Sequence, residues 1–228
     1  MEEYQQIISV IALTMGTAWA SGINLYATIL VLGIMGLNGS INLPPDLQIL
    51  ASPVVIAAAG LMYMVEFTAD KIPGVDNAWD ALHTLIRVPA GAVLAAGAVG
   101  DVNTAVSVAA AIAGGSVAMG THLTKAGSRV LINTSPEPVT NWTASILEDV
   151  AVIAGLWTAL NHPSLFLFGF FVFIILLIWL LPKLWYAIKK VFAAIAGWFS
   201  GKGKVAVEQI SENNSGDKME PILKLGKK

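Results

Sequence analysis

The sequence predicts an all-α fold: a polytopic transmembrane helical bundle of about six spans, with two pseudo-repeated helical hairpins. Three observations predict it. The chain is 56% hydrophobic and only 12% charged, whereas a soluble domain carries about 25% charged residues. Its apolar residues fall into six long runs. Threading those runs back and forth puts all 13 Lys and Arg residues on one side, as expected of cytoplasmic loops. With no cysteine, disulfides, thiolate metal sites and a cysteine nucleophile are excluded.

A crossing helix needs roughly 20 mostly apolar residues. Six stretches qualify, at about 7–37, 50–67, 82–100, 104–124, 142–161 and 163–182. The acidic start, MEEYQQ, is unlike a basic secretory leader, so the first stretch is expected to stay in the protein. That stretch is too long for one straight crossing, and Ser21-Gly22-Ile23-Asn24 interrupts it. Either it tilts, or it is a broken or re-entrant element. Irregular backbone at that depth persists only where protein or a water-filled cavity covers it.

The segment after the sixth run holds Lys183, Lys189, Lys190, Lys202 and Lys204, then four more lysines. It is expected in the cytoplasm, and with six spans the N-terminus joins it there. The location expected is the inner (plasma) membrane, multi-pass, with both termini cytoplasmic. Residues 1–182 form the transmembrane domain. Residues 183–200 pair lysines with Trp, Tyr and Phe and read as an amphipathic helix on the membrane surface, Pro182 marking the bend. A plain extension of the sixth span is the alternative. Residues 201–228 are polar and expected to be a flexible cytoplasmic tail.

The hairpins expected at about 50–100 and 104–161 align. AGLMYMVEFTADK matches AGGSVAMGTHLTK at its Ala-Gly start and its lysine, and Pro73 and Trp79 align with Pro136 and Trp142. That is a direct repeat, one of the symmetries transporters use. The many Gly and Ala residues let helix backbones approach closely.

Charge concentrates in VEFTADKIPGVDNAWDALHTLIR and its counterpart. Glu66 and Asp70 share a helix face, as do Asp80, His83 and Arg87. His122 and Lys125 end the fourth run, and Glu148 and Asp149 lie within the fifth. A charge inside a membrane helix costs about 2.5–3.5 kcal/mol on insertion scales, so such residues turn inward and pair or meet water. A polar cluster open to the cytoplasm is therefore expected, negative from Glu66, Asp70, Asp80, Glu148 and Asp149 and positive from Lys71, Arg87, Lys125 and Arg129.

The function expected is a small transporter or channel-like protein for an ion or small polar solute. Its site residues would be Glu66, Asp70, Asp80, His83, Arg87, His122, Lys125 and Asp149, with Asn24 contributing from the break. One alternative is a membrane enzyme acting on lipid head groups with Asp80, His83 and His122. Another is a scaffold that moves nothing. His83 with Asp80, or His122 with Glu66, offers nitrogen and oxygen ligands to a metal. HExxH, paired-cysteine, Walker and GxSxG motifs are absent, and no cofactor is named by the sequence. The partners implied are the lipid bilayer and an ion or polar solute. No nucleic-acid partner is implied, and a homo-oligomer is left open.

EFTADK is similar to the ExGD[KR] signature of a cation-exchanger family, but here the acids are four apart and Ala69 stands at the glycine. SGINLYAT (Ser21 to Thr28), EFTADKIPGVDNAWDALHT (Glu66 to Thr84), GTHLTKAGSR (Gly120 to Arg129) and INTSPEPVTNW (Ile132 to Trp142) together resemble a bacterial integral-membrane family known only as a domain of unknown function. The likeness covers about residues 10–162. It implies the same membrane-spanning fold and supplies neither a substrate nor catalytic residues.

Overall fold

The structure is a computed structural model that describes residues 2–72, 74–133 and 138–199. Residues 201–228, Pro73 and Ser135 to Glu137 of the INTSPEPVTNW stretch, Pro136 of the repeat alignment included, lie outside them. The described residues form seven α-helices and one 3₁₀ helix, with no strand among them. The helices are α1 (Glu2–Ile23), α2 (Leu25–Leu37), α3 (Pro53–Ala69), α4 (Val75–Ala98), α5 (Thr104–Ile132), α6 (Pro138–Asn161) and α7 (Pro163–Phe199). The 3₁₀ helix, Pro45–Ala51, leads into α3 at an angle of 67°. By length and composition five helices can cross a bilayer, or six if that bent pair counts as one.

Several helices run on past the apolar stretches that announced them. α4 begins at Val75, α5 continues to Ile132 and α6 starts at Pro138. Their polar extensions stay helical because the side chains there find partners inside the bundle. Gly74 opens α4 with φ +87°, a conformation that only glycine adopts without strain.

α4 and α5 form the tightest pair and run antiparallel. Asp76 meets Asn133, Thr84 meets His122, and Gly91 and Gly114 let the backbones close on Ala118 and Ala95. α1 lies in the groove beside them. Gly22 rests on Ala118 and Thr121 of α5, while Gly16 and Trp19 meet Ala159 and Gly155 of α6. α1 is therefore parallel to α5 and antiparallel to α6.

α2 runs the other way. Ala27 shares a cluster with Tyr63, Gly60 faces Leu30, and Gly33 sits against Ile56 and the Leu50 carbonyl. α2 is thus antiparallel to α3. Leu13 of α1 packs on the cluster that holds Leu32 of α2 and Leu94 of α4. Together α1 and α2 make a V whose arms open toward the same end of the bundle, with Asn24 at the tip. Of the arrangements the sequence allows for this segment, the structure has the broken one, with α2 turning back toward the end from which α1 comes. The start of α1 and the turn at Asp70–Gly74 lie at opposite ends, where threading six simple spans had placed them at the same end.

The break has a local cause. Asn24 has extended backbone (φ −146°, ψ 101°), and its side-chain oxygen accepts from the Ala27 N–H to cap α2. An asparagine N-cap satisfies a donor that a new helix would leave free. Pro163–Leu184 of α7 belongs to the same compact unit as the bundle. There Phe166 and Phe173 make edge contacts with Trp19, while Phe168, Phe171 and Trp179 are exposed, as suits a lipid-facing helix. In the second unit, from Trp185, the helix continues to Phe199, and Lys189 lies 5.1 Å from the centre of the Trp185 ring.

Candidate functional site

The charged residues meet inside the bundle. Glu66 and Asp70 come from the end of α3, Asp80, His83 and Arg87 from α4, His122, Lys125 and Arg129 from α5, and Glu148 and Asp149 from α6. Spacings of three and four put each set on one helical face. The opposite faces carry Leu82, Leu85, Ile86, Leu123, Ile146 and Leu147, all exposed. The polar faces turn inward because lipid would leave them unpaired.

Arg87, thirteenth of the 24 residues of α4, is the deepest cation. Its guanidinium bonds Glu66 Oε1 at 2.6 Å and Asp80 Oδ1 at 3.0 Å. The same nitrogen that meets Asp80 lies 2.9 Å from His122 Nδ1. Arginine can only donate, so His122 accepts at Nδ1 and carries its hydrogen on Nε2. That Nε2 faces Thr84 Oγ1 at 2.8 Å and the Asp80 carbonyl at 3.1 Å.

Lys125 bonds Asp70 Oδ2 at 2.9 Å and lies 3.5 Å from both Glu66 and Glu148. Arg129 makes a two-pronged pair with Glu148, at 2.6 and 3.3 Å. It also donates to the Asp70 carbonyl at 3.2 Å and to the Asn141 side-chain oxygen. Four carboxylates thus face three cations within 4 Å. Arg87, Arg129, Glu66 and His122 are wholly buried, and Glu148, at 20% side-chain exposure, is the most accessible member.

Asp149 stands apart. It is the twelfth of the 24 residues of α6 and 8% exposed. Asn24 Nδ2 donates to its Oδ1 at 3.0 Å, and the Tyr63 hydroxyl donates to its Oδ2 at 3.1 Å. Among the described residues no basic nitrogen pairs with it.

Every expected site residue therefore lines this interior. His83 occupies its margin, its Nδ1 bonded to the Trp79 carbonyl at 2.9 Å and its Nε2 to Tyr26 at 3.1 Å. The two metal pairings do not form, since His83 faces Tyr26 rather than Asp80 and His122 faces Arg87 rather than Glu66. Among the described residues no group of three His, Asp or Glu side chains is arranged to hold a metal. Lys71 is not part of the cluster. Its ammonium lies over the Phe67 ring and bonds the Phe67 carbonyl at 3.0 Å, and burial lowers its pKa below the usual lysine value.

Three neutral members, Tyr63, Thr84 and Asn141, join the site without a clear sign in the sequence, while Asn133 holds the buried Asp76 at the start of α4. Asn141 and Tyr63 carry a weak signal, a polar tip beside a charged helix face at helical spacing. A family model described as Domain of unknown function (DUF4126) matches residues 11–183. No curated protein and no solved structure matches the chain.

Proposed function

The chain belongs to the DUF4126 family, a domain of unknown function, and from that premise we propose that it is a small transporter or channel-like protein for an ion or small polar solute. One observation carries this reading: the α1–α2 V breaks at Asn24, and its tip touches a charged interior near the middle of the spans. Broken helices that meet polar groups at mid-depth are how many transporters build their sites. Ionisable groups inside a membrane are costly enough to serve as a functional hypothesis by default.

The basic groups favour one orientation. Lys71, Lys125 and Arg129 lie toward the 70–74 turn, whereas Glu2, Glu3, Asp46 and Asp101 lie toward the other end. By the positive-inside rule, that turn faces the cytoplasm and the start of α1 faces out. Glu148 is then the cytoplasm-side entrance to the cluster, and Asn24 and Asp149 form its inner end.

The scaffold reading draws on the pairing of Arg87, Lys125 and Arg129 with buried carboxylates, which suits a static clasp. The lipid-enzyme reading has less support, because both ring nitrogens of His83 and of His122 are engaged within the protein. A hollow of about 390 Å³ beside Trp19, Gly155 and Phe170 is apolar and contains none of the charged groups.

Flux into proteoliposomes tests the proposal. A panel of monovalent cations, protons and small polar solutes is compared for the unaltered protein, Glu66→Gln and empty vesicles. Flux above empty vesicles that falls in Glu66→Gln is expected. Flux equal to empty vesicles for the whole panel rejects transport of those solutes, and equal flux in both proteins removes Glu66 from the mechanism.

A further inference from the structure

We propose that Asp149 is a proton-binding site at the tip of the α1–α2 V, and that the proton is the ion this protein exchanges. The proposal deepens the transport reading and, for its link to flux, rests on it.

A carboxylate at mid-span needs compensation, because the medium around it cannot solvate charge. Glu66, Asp70, Asp80 and Glu148 have cations against them. Asp76, at the start of α4, accepts from the Gly74 and Asn77 N–H groups and from Asn133. Asp149, at mid-span, has instead two neutral side-chain donors, Asn24 Nδ2 and the Tyr63 hydroxyl. Of the neighbouring cations, Arg87, Lys125 and Arg129 are already shared by four carboxylates. Lys71, which acts on Asp149 through space, is turned to the Phe67 ring and carbonyl and makes no ion pair with it. The titratable and charged groups around Asp149 are Tyr63 and Glu66 on α3, Asp70 and Lys71 in the turn beyond it, and Lys125 on α5. On its own helix Glu148 turns to Arg129, and from α1 and α2 the group that reaches it is the neutral Asn24.

The surroundings discriminate against a metal cation. A hard cation takes about six oxygen ligands. Here the Asn24 side-chain oxygen is committed to the Ala27 N–H, which fixes the amide with its NH₂ toward Asp149. An N–H directed at Oδ1 repels a cation and accommodates a carboxyl group.

The hydroxyl on Oδ2 makes both protonation states tenable. When Asp149 is ionised, Tyr63 donates to Oδ2. When a proton from water joins Oδ2, the carboxyl donates to the Tyr63 oxygen instead, and the hydroxyl hydrogen swings away. The heavy atoms keep one hydrogen bond throughout, and the site changes from −1 to neutral. Asp149 is 8% exposed and Tyr63 is only partly buried, so the pair is not sealed from its surroundings. Protonation also weakens the charge-assisted Asn24 bond, which loosens the tip of the V.

Infrared difference spectra of the full chain in lipid nanodiscs, recorded between mildly acidic and mildly alkaline buffer, read the site directly. A carbonyl band of a protonated carboxyl group that titrates with pH is expected. It should be lost in Asp149→Asn and shifted in Tyr63→Phe, which keeps the acid and removes its hydroxyl partner. A titrating band unchanged in both variants, or no titrating band at all, overturns the proposal. If the band behaves as expected but proton flux into proteoliposomes equals that of empty vesicles, the proton site stands and the transport reading falls.

Discussion

The Lys125 ammonium bonds the backbone carbonyl of Ile23 at 3.1 Å, 102 positions earlier in the chain. The bond follows from the break next to it. In an unbroken helix the Ile23 carbonyl would accept from the Ala27 N–H, but the Asn24 side chain has taken that donor. The orphaned carbonyl at the end of α1 then attracts a cation, as helix C-termini do. One ammonium holds the tip of the V and, through Asp70 at 2.9 Å, the turn beyond α3.

Replacing Lys125 with methionine removes that clasp and leaves Asp70 buried without its nearest cation. Breaking a buried ion pair from one side costs about 3–5 kcal/mol, so Lys125→Met is expected to lower the thermal midpoint in detergent sharply. Adding Asp70→Asn should recover part of the loss, since the two side chains act as a pair. A double variant as unstable as the sum of the singles would show that they do not interact.

Arg87 serves three partners on three helices: Glu66 of α3, Asp80 of α4 and His122 of α5. Lysine carries the charge without the planar fork, so Arg87→Lys is not conservative here. It is expected to be about 1–3 kcal/mol less stable, the cost of leaving a buried partner unsatisfied. Arg87→Met should be worse by a further margin. Chemical denaturation in detergent compares them, and equal midpoints for the unaltered protein and Arg87→Lys would show that the fork geometry is immaterial.

Much of this interior is legible in the amino-acid sequence alone. Glu66, Asp80, Arg87, His122 and Lys125 are recognisable because a charge in an apolar run has few places to go, and helical spacing shows which ones share a face. Lys71 falls outside the cluster expected for it because α3 ends at Ala69 and Lys71, in the turn beyond, folds its ammonium back onto the Phe67 ring and carbonyl. The V is legible only in part: Ser21-Gly22-Ile23-Asn24 marks the break but not the direction of the chain after it. Hydropathy measures how apolar residues 7–37 are, and a helix that turns back is as apolar as one that crosses. Tyr63 and Asn141 give little sign of themselves because a neutral polar side chain is no anomaly until it is seen against Asp149 or Arg129.

Close helix packing gives a prediction with an internal control. A methyl group at Gly22 would lie 2.5 Å from the Ala118 carbonyl oxygen and 2.8 Å from Thr121, pushing α1 off α5. Gly169, on α7, has no such neighbour within 4 Å. Overpacking costs about 1–3 kcal/mol, so Gly22→Ala is expected to destabilise by about that much. Gly169→Ala should be neutral or slightly stabilising, since alanine favours helix by about 1 kcal/mol. Thermal midpoints in detergent decide, and equal midpoints for Gly22→Ala and the unaltered protein would mean that α1 does not rest on α5 as described.

The V makes a sharper prediction about sidedness, which the lack of native cysteine makes easy to read. Single cysteines at Gln5, Gln48 and Asp101 occupy exposed positions toward the end where the arms of the V open. Ile72, also exposed, lies in the turn at the opposite end. In intact cells an impermeant thiol reagent is expected to label Gln5→Cys, Gln48→Cys and Asp101→Cys and to spare Ile72→Cys, which should react only after lysis. The start of α1 and the loop after α2 must behave alike, because a helix that turns back at Asn24 returns to the side it left. If Gln5→Cys and Ile72→Cys are protected together while Gln48→Cys is labelled, α1 and α2 cross the membrane as one span. The Asn24–Asp149 contact could not then lie at the tip of a re-entrant turn.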